Sequence, residues 1–380
     1  MNQPQSQSLV IGQLATGHEL SIPCYRFSGR DSQAPSVYIQ ANVHGAEVQG
    51  NAVIYQLMER LAELTILGDI CLVPLANPLA INQKSGEFTL GRFDPITGIN
   101  WNREYANLTP APDWLPAHLA LDDQQLAAAF RQQMLASIEA RLHQDYGLST
   151  GKRQALLLQS MAHQADIVLD LHTGPKSAKH LYCPAYAASA ACYFAIEHVL
   201  LMPNTFGGAM DEAVFYPWWQ LRQQAAALGR TLDIGADAFT LELGSQERID
   251  MADAKVDAEG ILAYLSYRGV IANAIAPTPM VRHGCWLRDY RQYFAPQAGM
   301  VEYLAKPGDI IGAGEALVRL LQVDKFGSPA ALTECLCPDD AIAILHFASA
   351  SVYQGTELYK LMTHTFELTA ARAADIQSKA

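Results

Sequence analysis

Hydrophobic and polar residues change their period several times along the chain, and each change marks an element. Residues 8–28 alternate, which predicts a pair of strands joined near 15–19. Residues 36–43 (SVYIQANV) read as a third strand, ending at His44-Gly45. From 47 to about 64, Val53, Leu57 and Leu61 recur at the spacing of one helix face, and Gly68 closes that segment. Residues 69–75 (DICLVPL) form a buried strand stopped by Asn77-Pro78. Strand, helix and strand in that order imply a parallel crossover. Residues 80–105 have no clear period but contain Gly86, Gly91 and Gly98, which predicts a long functional loop. Helices are expected over 121–145, 151–164, 187–200, 211–228 and 253–273, with strands at 166–171 and 238–243. Strands alternating with helices indicate an α/β sheet that is at least partly parallel.

Near 275–285 the helical period fades, and short strands punctuated by Gly and Pro take over. This stretch holds a repeat. Ala295-Pro296, Gly314 and Leu317 are echoed by Cys337-Pro338, Gly355 and Leu358, with the prolines 42 residues apart and the glycines and leucines 41 apart. Two such halves resemble a barrel-sandwich module of the biotinyl/lipoyl type. The expected organisation is therefore a catalytic domain over 1–280 and a smaller all-β, barrel-sandwich-like domain over 281–380.

Composition narrows the function. Half of the 380 residues are hydrophobic and 17% are charged, which excludes intrinsic disorder. A net charge of −12 argues against an electrostatic nucleic-acid binder. Seven cysteines, an odd number in a chain long enough to build its own core, argue for buried thiols rather than a disulfide framework. No apolar run reaches the ~18 residues of a membrane span. The start, MNQPQSQSLV, lacks the basic and apolar regions of a signal peptide. A cytoplasmic protein that binds neither membrane nor nucleic acid is expected.

Three predicted strands end in polar residues. His44-Gly-Ala-Glu47 spans a strand end and a helix start, so an imidazole and a carboxylate can converge across the turn. Gly45 is expected to let the backbone make that corner. His172 ends DIVLDLH, and a His₂Glu set with an open fourth position is the catalytic zinc pattern. Asp170 shares the strand face of His172 and could orient it. Glu242, in LELGS, ends an apolar strand, where a carboxylate must be paired, near a metal or in a solvated cleft. Each residue also has a structural explanation: a hydrogen-bonded strand-end histidine, a carboxylate that caps a helix or pairs with an arginine. Asn100-Trp-Asn102-Arg103 and Arg92 add guanidinium groups suited to carboxylates. Alternatively, Arg103 pairs with Glu104.

HGAE, NWNR, DLHTG and ELGS in this order resemble the succinylglutamate desuccinylase/aspartoacylase family, within the zinc carboxypeptidase-like hydrolases, over about residues 36–250. The resemblance implies an α/β fold with a mixed sheet flanked by helices. It also implies an amidohydrolase that removes an acyl group from an N-acyl amino acid or similar small amine. His44, Glu47 and His172 would bind one Zn2+ per chain, and Glu242 would be the general base and acid. Asn102 and Arg103 would bind substrate carboxylate and polarise the carbonyl. Arg92, in GRFD, resembles the first arginine of the family's stretch, at a longer spacing, and would help stabilise the oxyanion. Arg230 lies twelve residues before Glu242, where aspartoacylase-type enzymes carry an arginine about ten before.

The expected partner is a small anionic substrate, drawn to a cleft made locally positive by Arg92, Arg103 and a divalent cation. The segment 108–160 could shape the pocket or an oligomer contact. The alternatives are a metallocarboxypeptidase and a non-hydrolytic metal-binding or carrier scaffold, the latter resting on Lys325 in VDKFG. Other residues weigh less. His163, His180 and His198 are expected to be surface or hydrogen-bonded, His283 could reach the cleft, and His346 packs in the β repeat. Trp218-Trp219 could line a pocket or lie in the core. Cys335-x-Cys337 reads as alternate strand positions.

Overall fold

The computed structural model describes residues 2–272 and 278–380. Its centre is a mixed sheet, ten-stranded among the described residues. In chain order its strands are β1 (Gln5–Gln13), β2 (Glu19–Phe27), β3 (Val37–Ala41), β4 (Ile70–Val73), β5 (Ile167–Gly174), β6 (His180–Pro184), β7 (His198–Met202), β8 (Asp237–Ser245) and β9 (Arg282–Trp286). The tenth, Phe366–Leu368, comes from the far end of the chain. The spatial order is β1-β2-β4-β3-β5-β8-β6-β7-β9, followed by 366–368. Strands β4, β3, β5 and β8 run parallel, as the predicted crossover requires, and β8 pairs β6 antiparallel.

The two faces of this sheet differ because side chains alternate along each strand. Ile39, Leu169, Leu171, Leu181, Phe239 and Leu241 point to one face. There they pack against α1 (Gln49–Leu61), the 3₁₀ segment Ala185–Cys192 and the helix Met251–Tyr267. Gly50 of α1 sits so close that a Cβ would lie 2.8 Å from that of Ala41 and 2.9 Å from that of Leu171. The other face carries Tyr38, Val168 and Ala238, covered by α2 (Asp123–Leu142), α3 (Thr150–Ala162) and α4 (Met210–Ala227). The buried residues of α2, Leu126, Phe130, Met134 and Ile138, belong to this core, which gives the 108–160 segment a packing role. Trp218 joins it, at 4.9 Å from the Phe130 ring. No helix among the described residues is long and apolar enough to cross a membrane.

Sequence periodicity misreads one region. The helix expected over 187–200 is a 3₁₀ segment followed by strand β7, and β6 went unpredicted. Both strands are buried on both faces and show no alternation. The intervening run AYAASAAC is alanine-rich, which favours a helical reading. The last large helix, expected over 253–273, ends at Tyr267, just before Gly269 at φ +72. Residue 273, and 275, where the change of character was expected to begin, lie outside the described residues.

Between β9 and 366–368 the chain builds two smaller sheets from β10 (Tyr290–Phe294), β11 (Gly299–Tyr303), β12 (Ile310–Ile311), β13 (Ala316–Leu321), β14 (Leu332–Leu336), β15 (Ala341–His346), β16 (Ser351–Val352) and β17 (Glu357–Thr363). One has the order β10-β17-β15-β12, the other β14-β13-β11-β16. The repeat explains this: adding about 41 or 42 to each strand of one half gives its counterpart, so the two sheets are copies related by exchange of halves. The linking hydrogen bonds repeat too. Gly355 N–H donates to Ala295 O at 2.9 Å, and Gly314 N–H donates to Cys337 O at 2.8 Å. Lys325 lies in an exposed turn between the halves. Cys335 and Cys337 are buried free thiols, like the other five cysteines.

This β unit is joined to the large sheet at both ends and in the middle. Strands β9 and 366–368 pair with each other inside the large sheet, and the helix Ala370–Lys379 packs on the 3₁₀ segment. Residues Lys176–Ser177 pair with Leu345–His346 of β15. Ile342, Ile344 and Met362 rest on Leu200 and Cys285, on the same side of the large sheet as His172 and Glu242.

Leu171 is wholly buried where α1 meets the central strand. Leu171→Ala should cost about 2–5 kcal/mol in a urea titration, the range for a deleted core leucine. Ile310→Ala, at a site 76% exposed, should stay within about 0.5 kcal/mol.

Candidate functional site

A cavity of about 900 Å³ opens over β5, β8 and β6 at the carboxyl end of the parallel strands. Its centre is Glu47. One carboxylate oxygen lies 2.9 Å from His44 Nδ1, and the other lies 2.7 Å from His172 Nδ1 and accepts the Thr173 N–H at 3.2 Å. The ligand atoms of His44, Glu47 and His172 all fall within 4.8 Å of one another, and all three residues are buried.

Each imidazole is oriented from behind. His44 Nε2 lies 2.8 Å from Asn100 Oδ1, which also accepts the Asn102 N–H. His172 Nε2 lies 2.9 Å from Asp170 Oδ2, the contact that the shared strand face predicts. With both Nε2 atoms facing acceptors, both Nδ1 atoms turn to the same point. Burial alone would raise the Glu47 carboxyl, but the charges and hydrogen bonds of His44 and His172 outweigh it and hold it well below the usual range. Burial likewise disfavours a proton on His172, yet Asp170 and Glu47 drive its affinity for one well above normal. A His₂Glu set so arranged could hold a metal ion.

The corner between His44 and Glu47 needs glycine for a reason other than backbone freedom. A Cβ on Gly45 would stand 2.1 Å from the Ala80 carbonyl oxygen, and one on Gly91 2.3 Å from it. Gly45 N–H donates to Gly91 O at 2.9 Å. The loop that carries Arg92 is thereby pressed against the turn that carries His44.

The remaining predicted residues surround the same cavity. Glu242 is aligned with His172 in the β5/β8 ladder and therefore shares its face. Its Oε2 is buried with no hydrogen-bond partner among the described residues. Burial first, then the charge of Glu47, push its carboxyl up to about 7. Arg92 Nη1 lies 3.4 Å from Glu47 Oε1. Asn102 Nδ2 lies 3.2 Å from His172 Nε2, and Asn102 Oδ1 accepts the Met210 N–H. Arg103 lines the cavity and donates to the Asn102 carbonyl. Arg230 is elsewhere, paired with Asp123 at 2.6 Å. His283 stays out of the cavity, 3.3 Å from Glu197.

Several lining residues were not assigned to the site from the sequence, His180 among them, which was expected to be surface or hydrogen-bonded. His180 is wholly buried and directly opposite Glu242 in the β8/β6 ladder. Asp211 opens α4. Tyr290, Glu357 and Lys360 come from the β unit. Arg92, Arg103 and Lys360 share the lining with Glu47, Asp211, Glu212, Glu242 and Glu357.

Residues 33–268 match the family model for the succinylglutamate desuccinylase/aspartoacylase catalytic domain. The chain belongs to this family. It is 58% identical to a candidate succinylglutamate desuccinylase/aspartoacylase of known structure from Shewanella frigidimarina, with a TM-score of 0.95, covering 97% of this chain and 99% of that one. It is 61% identical to a candidate family protein from Shewanella amazonensis, with a TM-score of 0.93 and coverages of 96% and 100%. A family structure from Rhodobacter sphaeroides, at 19% identity and TM-score 0.67, covers 96% of both chains and shares the fold. Comparison with curated proteins finds no match. Desuccinylases and aspartoacylases are deacylating hydrolases of amide bonds, and the chain takes its place among them.

Asp211 gives a stability test. Burial first, then the neighbouring Glu212 charge, raise its carboxyl from 3.8 to about 7. A raised acid is neutral in both states at low pH, so its cost to the fold appears as pH climbs through this window and is complete above it. Asp211→Asn should therefore stabilise the protein against urea at pH 8 but not at pH 3.5. An equal gain at both values would contradict a buried, cation-free carboxyl.

Proposed function

We propose that the chain is a zinc-dependent amidohydrolase that removes an acyl group from an N-acyl amino acid or a similar small amine. The observation that carries this reading is the convergence of His44, Glu47 and His172 in one cavity with the unpartnered Oε2 of Glu242. His44 Nδ1, Glu47 and His172 Nδ1 would hold one zinc ion. Seating it would displace the proton that His172 holds against Glu47, which makes metal affinity pH-dependent. When bound, zinc supplies Lewis acidity, lowering the pKa of a water and polarising a carbonyl.

The chain's own residues supply the rest. Glu242 Oε2 accepts a proton from the attacking water, and its raised affinity for protons suits it to pass that proton to the leaving nitrogen. Arg92 places a guanidinium beside Glu47, where it would face negative charge developing on the carbonyl oxygen. Asn102 accepts the Met210 N–H and so fixes the first turn of α4 beside His172. Arg103 would hold a substrate carboxylate at the cavity wall. The cavity volume is within the range of small-molecule sites. We also read the paired sheets over 290–363 as a barrel-sandwich-like unit, the smaller of two domains.

Glu242→Gln in zinc-loaded protein should lower kcat on N-acyl amino acids on the order of 10²–10⁴-fold while leaving zinc content at the wild-type level. Undiminished turnover with zinc bound would remove Glu242 from this role. His172→Ala should instead lose the metal, read by elemental analysis after dialysis. In zinc-loaded protein the rate should also fall on the acid side, with a limb below the value of about 7 that Glu242 has in the metal-free site, because Glu242 then takes up the proton that a general base must lack and a bound cation disfavours that uptake.

A further inference from the structure

A second cavity, of about 730 Å³, opens where β8 begins, away from the end of that strand that carries Glu242. Its volume is in the range of small-molecule sites. Its walls are the 3₁₀ segment Ala185–Cys192, α4, the stretch leading into β8, the end of the helix Met251–Tyr267 and the C-terminal helix Ala370–Lys379. Ser189 N–H donates to Gln377 Oε1 at 3.1 Å, which ties two of these walls together. Four charged residues line the cavity. Two of them cancel: Arg268 pairs with Asp237, whose Oδ2 also accepts the Tyr264 hydroxyl at 2.7 Å. The other two are left over. Arg222, half-buried, and Asp233, exposed, have no ion pair or hydrogen bond among the described residues, with each other or with any third group. A guanidinium cannot shed its charge, so Arg222 keeps a partly desolvated cation facing the cavity. Tyr186 and Tyr267 add aromatic surface, their rings stacked on Trp219 at 6.4 Å and on Tyr193 at 3.9 Å.

Three elements run from this cavity to the first. Along α4, Asp211 lines the first and Arg222 the second, eleven residues and so about 17 Å apart. Along β8, Glu242 lines the first and Asp237 the second, five residues and again about 17 Å apart. Strand β6 carries Tyr182 into the first and leads directly to Tyr186 in the second. We propose that the second cavity is an effector site for a free α-amino acid, whose occupancy α4 and β8 transmit to the first. The α-carboxylate meets Arg222, the ammonium meets Asp233, and the side chain lies against Tyr186 and Tyr267. A zwitterion answers both unpaired charges at once, whereas a simple anion leaves Asp233 unpaired and repels it. The regulatory half rests on the deacylase reading above, under which hydrolysis releases an amino acid. The site then senses the product of the reaction.

Binding is measured by calorimetry on the full, metal-free chain, so that no amino acid is drawn to zinc. The probes are the free L-amino acids, each against its deamino acid and its α-carboxamide. At least one amino acid should bind saturably, and its two analogues about tenfold more weakly or worse. Arg222→Met and Asp233→Asn should each weaken binding about tenfold or more, Arg222→Lys should keep most of it, and Glu242→Gln, in the other cavity, should leave it unchanged. In zinc-loaded protein the same amino acid should change kcat about fivefold or more, which a competitor for the first cavity cannot do. Arg222→Met should abolish that response and leave the basal kcat and KM as they are. Absence of saturable binding, or binding that Arg222→Met leaves intact, overturns the proposal. Binding that meets these controls while kcat stays fixed overturns the coupling between the cavities. If zinc-loaded wild type hydrolyses no N-acyl amino acid, the deacylase reading fails on its own account, and the binding measurements alone decide whether the site stands.

Discussion

The Glu47 carboxylate is the constraint around which the site is organised. It is buried, and an ion in that position is tolerable only if its lone pairs are satisfied. Three separate pieces of chain satisfy them: the turn at His44, the end of β5 through His172 and the Thr173 N–H, and the long loop through Arg92. The glycines at 45 and 91, pressed on the Ala80 carbonyl, allow the loop and the turn to come that close. One side chain therefore fixes the relative placement of three segments.

The sheet extends this arrangement sideways. At one level of the polar face, Gln40, Asp170, Thr240 and Tyr182 are aligned across four strands. At the next level His172, Glu242, His180 and His198 are aligned in the same way. Strand pairing sets the separation of these groups, so their mutual geometry is as rigid as the ladder. The first row supports the second: Gln40 donates to Asp170 Oδ1 at 2.9 Å, and Asp170 Oδ2 faces His172.

What was legible in the sequence was what is local. His44 and Glu47 lie on one turn, Asp170 and His172 on one strand face, and Asn102 and Arg103 on one short helix, so spacing alone brought each pair together. The family resemblance joined the pairs. His180 was expected to be surface or hydrogen-bonded, and its place in the cavity was not legible because its strand, buried on both faces, has no alternating pattern. Lys360 and Tyr290 were invisible for a different reason. A strand shows which residues share a face, but the packing of Ile342, Ile344 and Met362 on Leu200 and Cys285 decides that this face looks into the cavity. Gly45 was correctly singled out, but for the wrong property: its φ is unexceptional, and the crowding comes from a residue 35 positions later in the chain.

The duplicated β unit has a consequence of its own. Lys360, paired with Gln292, has as its counterpart in the other half Arg319, paired with Glu334. Arg319 lies on the outer surface and is neutralised by Glu302 at 3.2 Å and Glu334 at 3.0 Å. The two positions began from the same place in the same architecture, yet one cation is quenched by its own sheet and the other is left with a distant counter-ion. The molecule thus contains its own control: what sets Lys360 apart is its outlook onto the cavity, since its place in the repeat is shared.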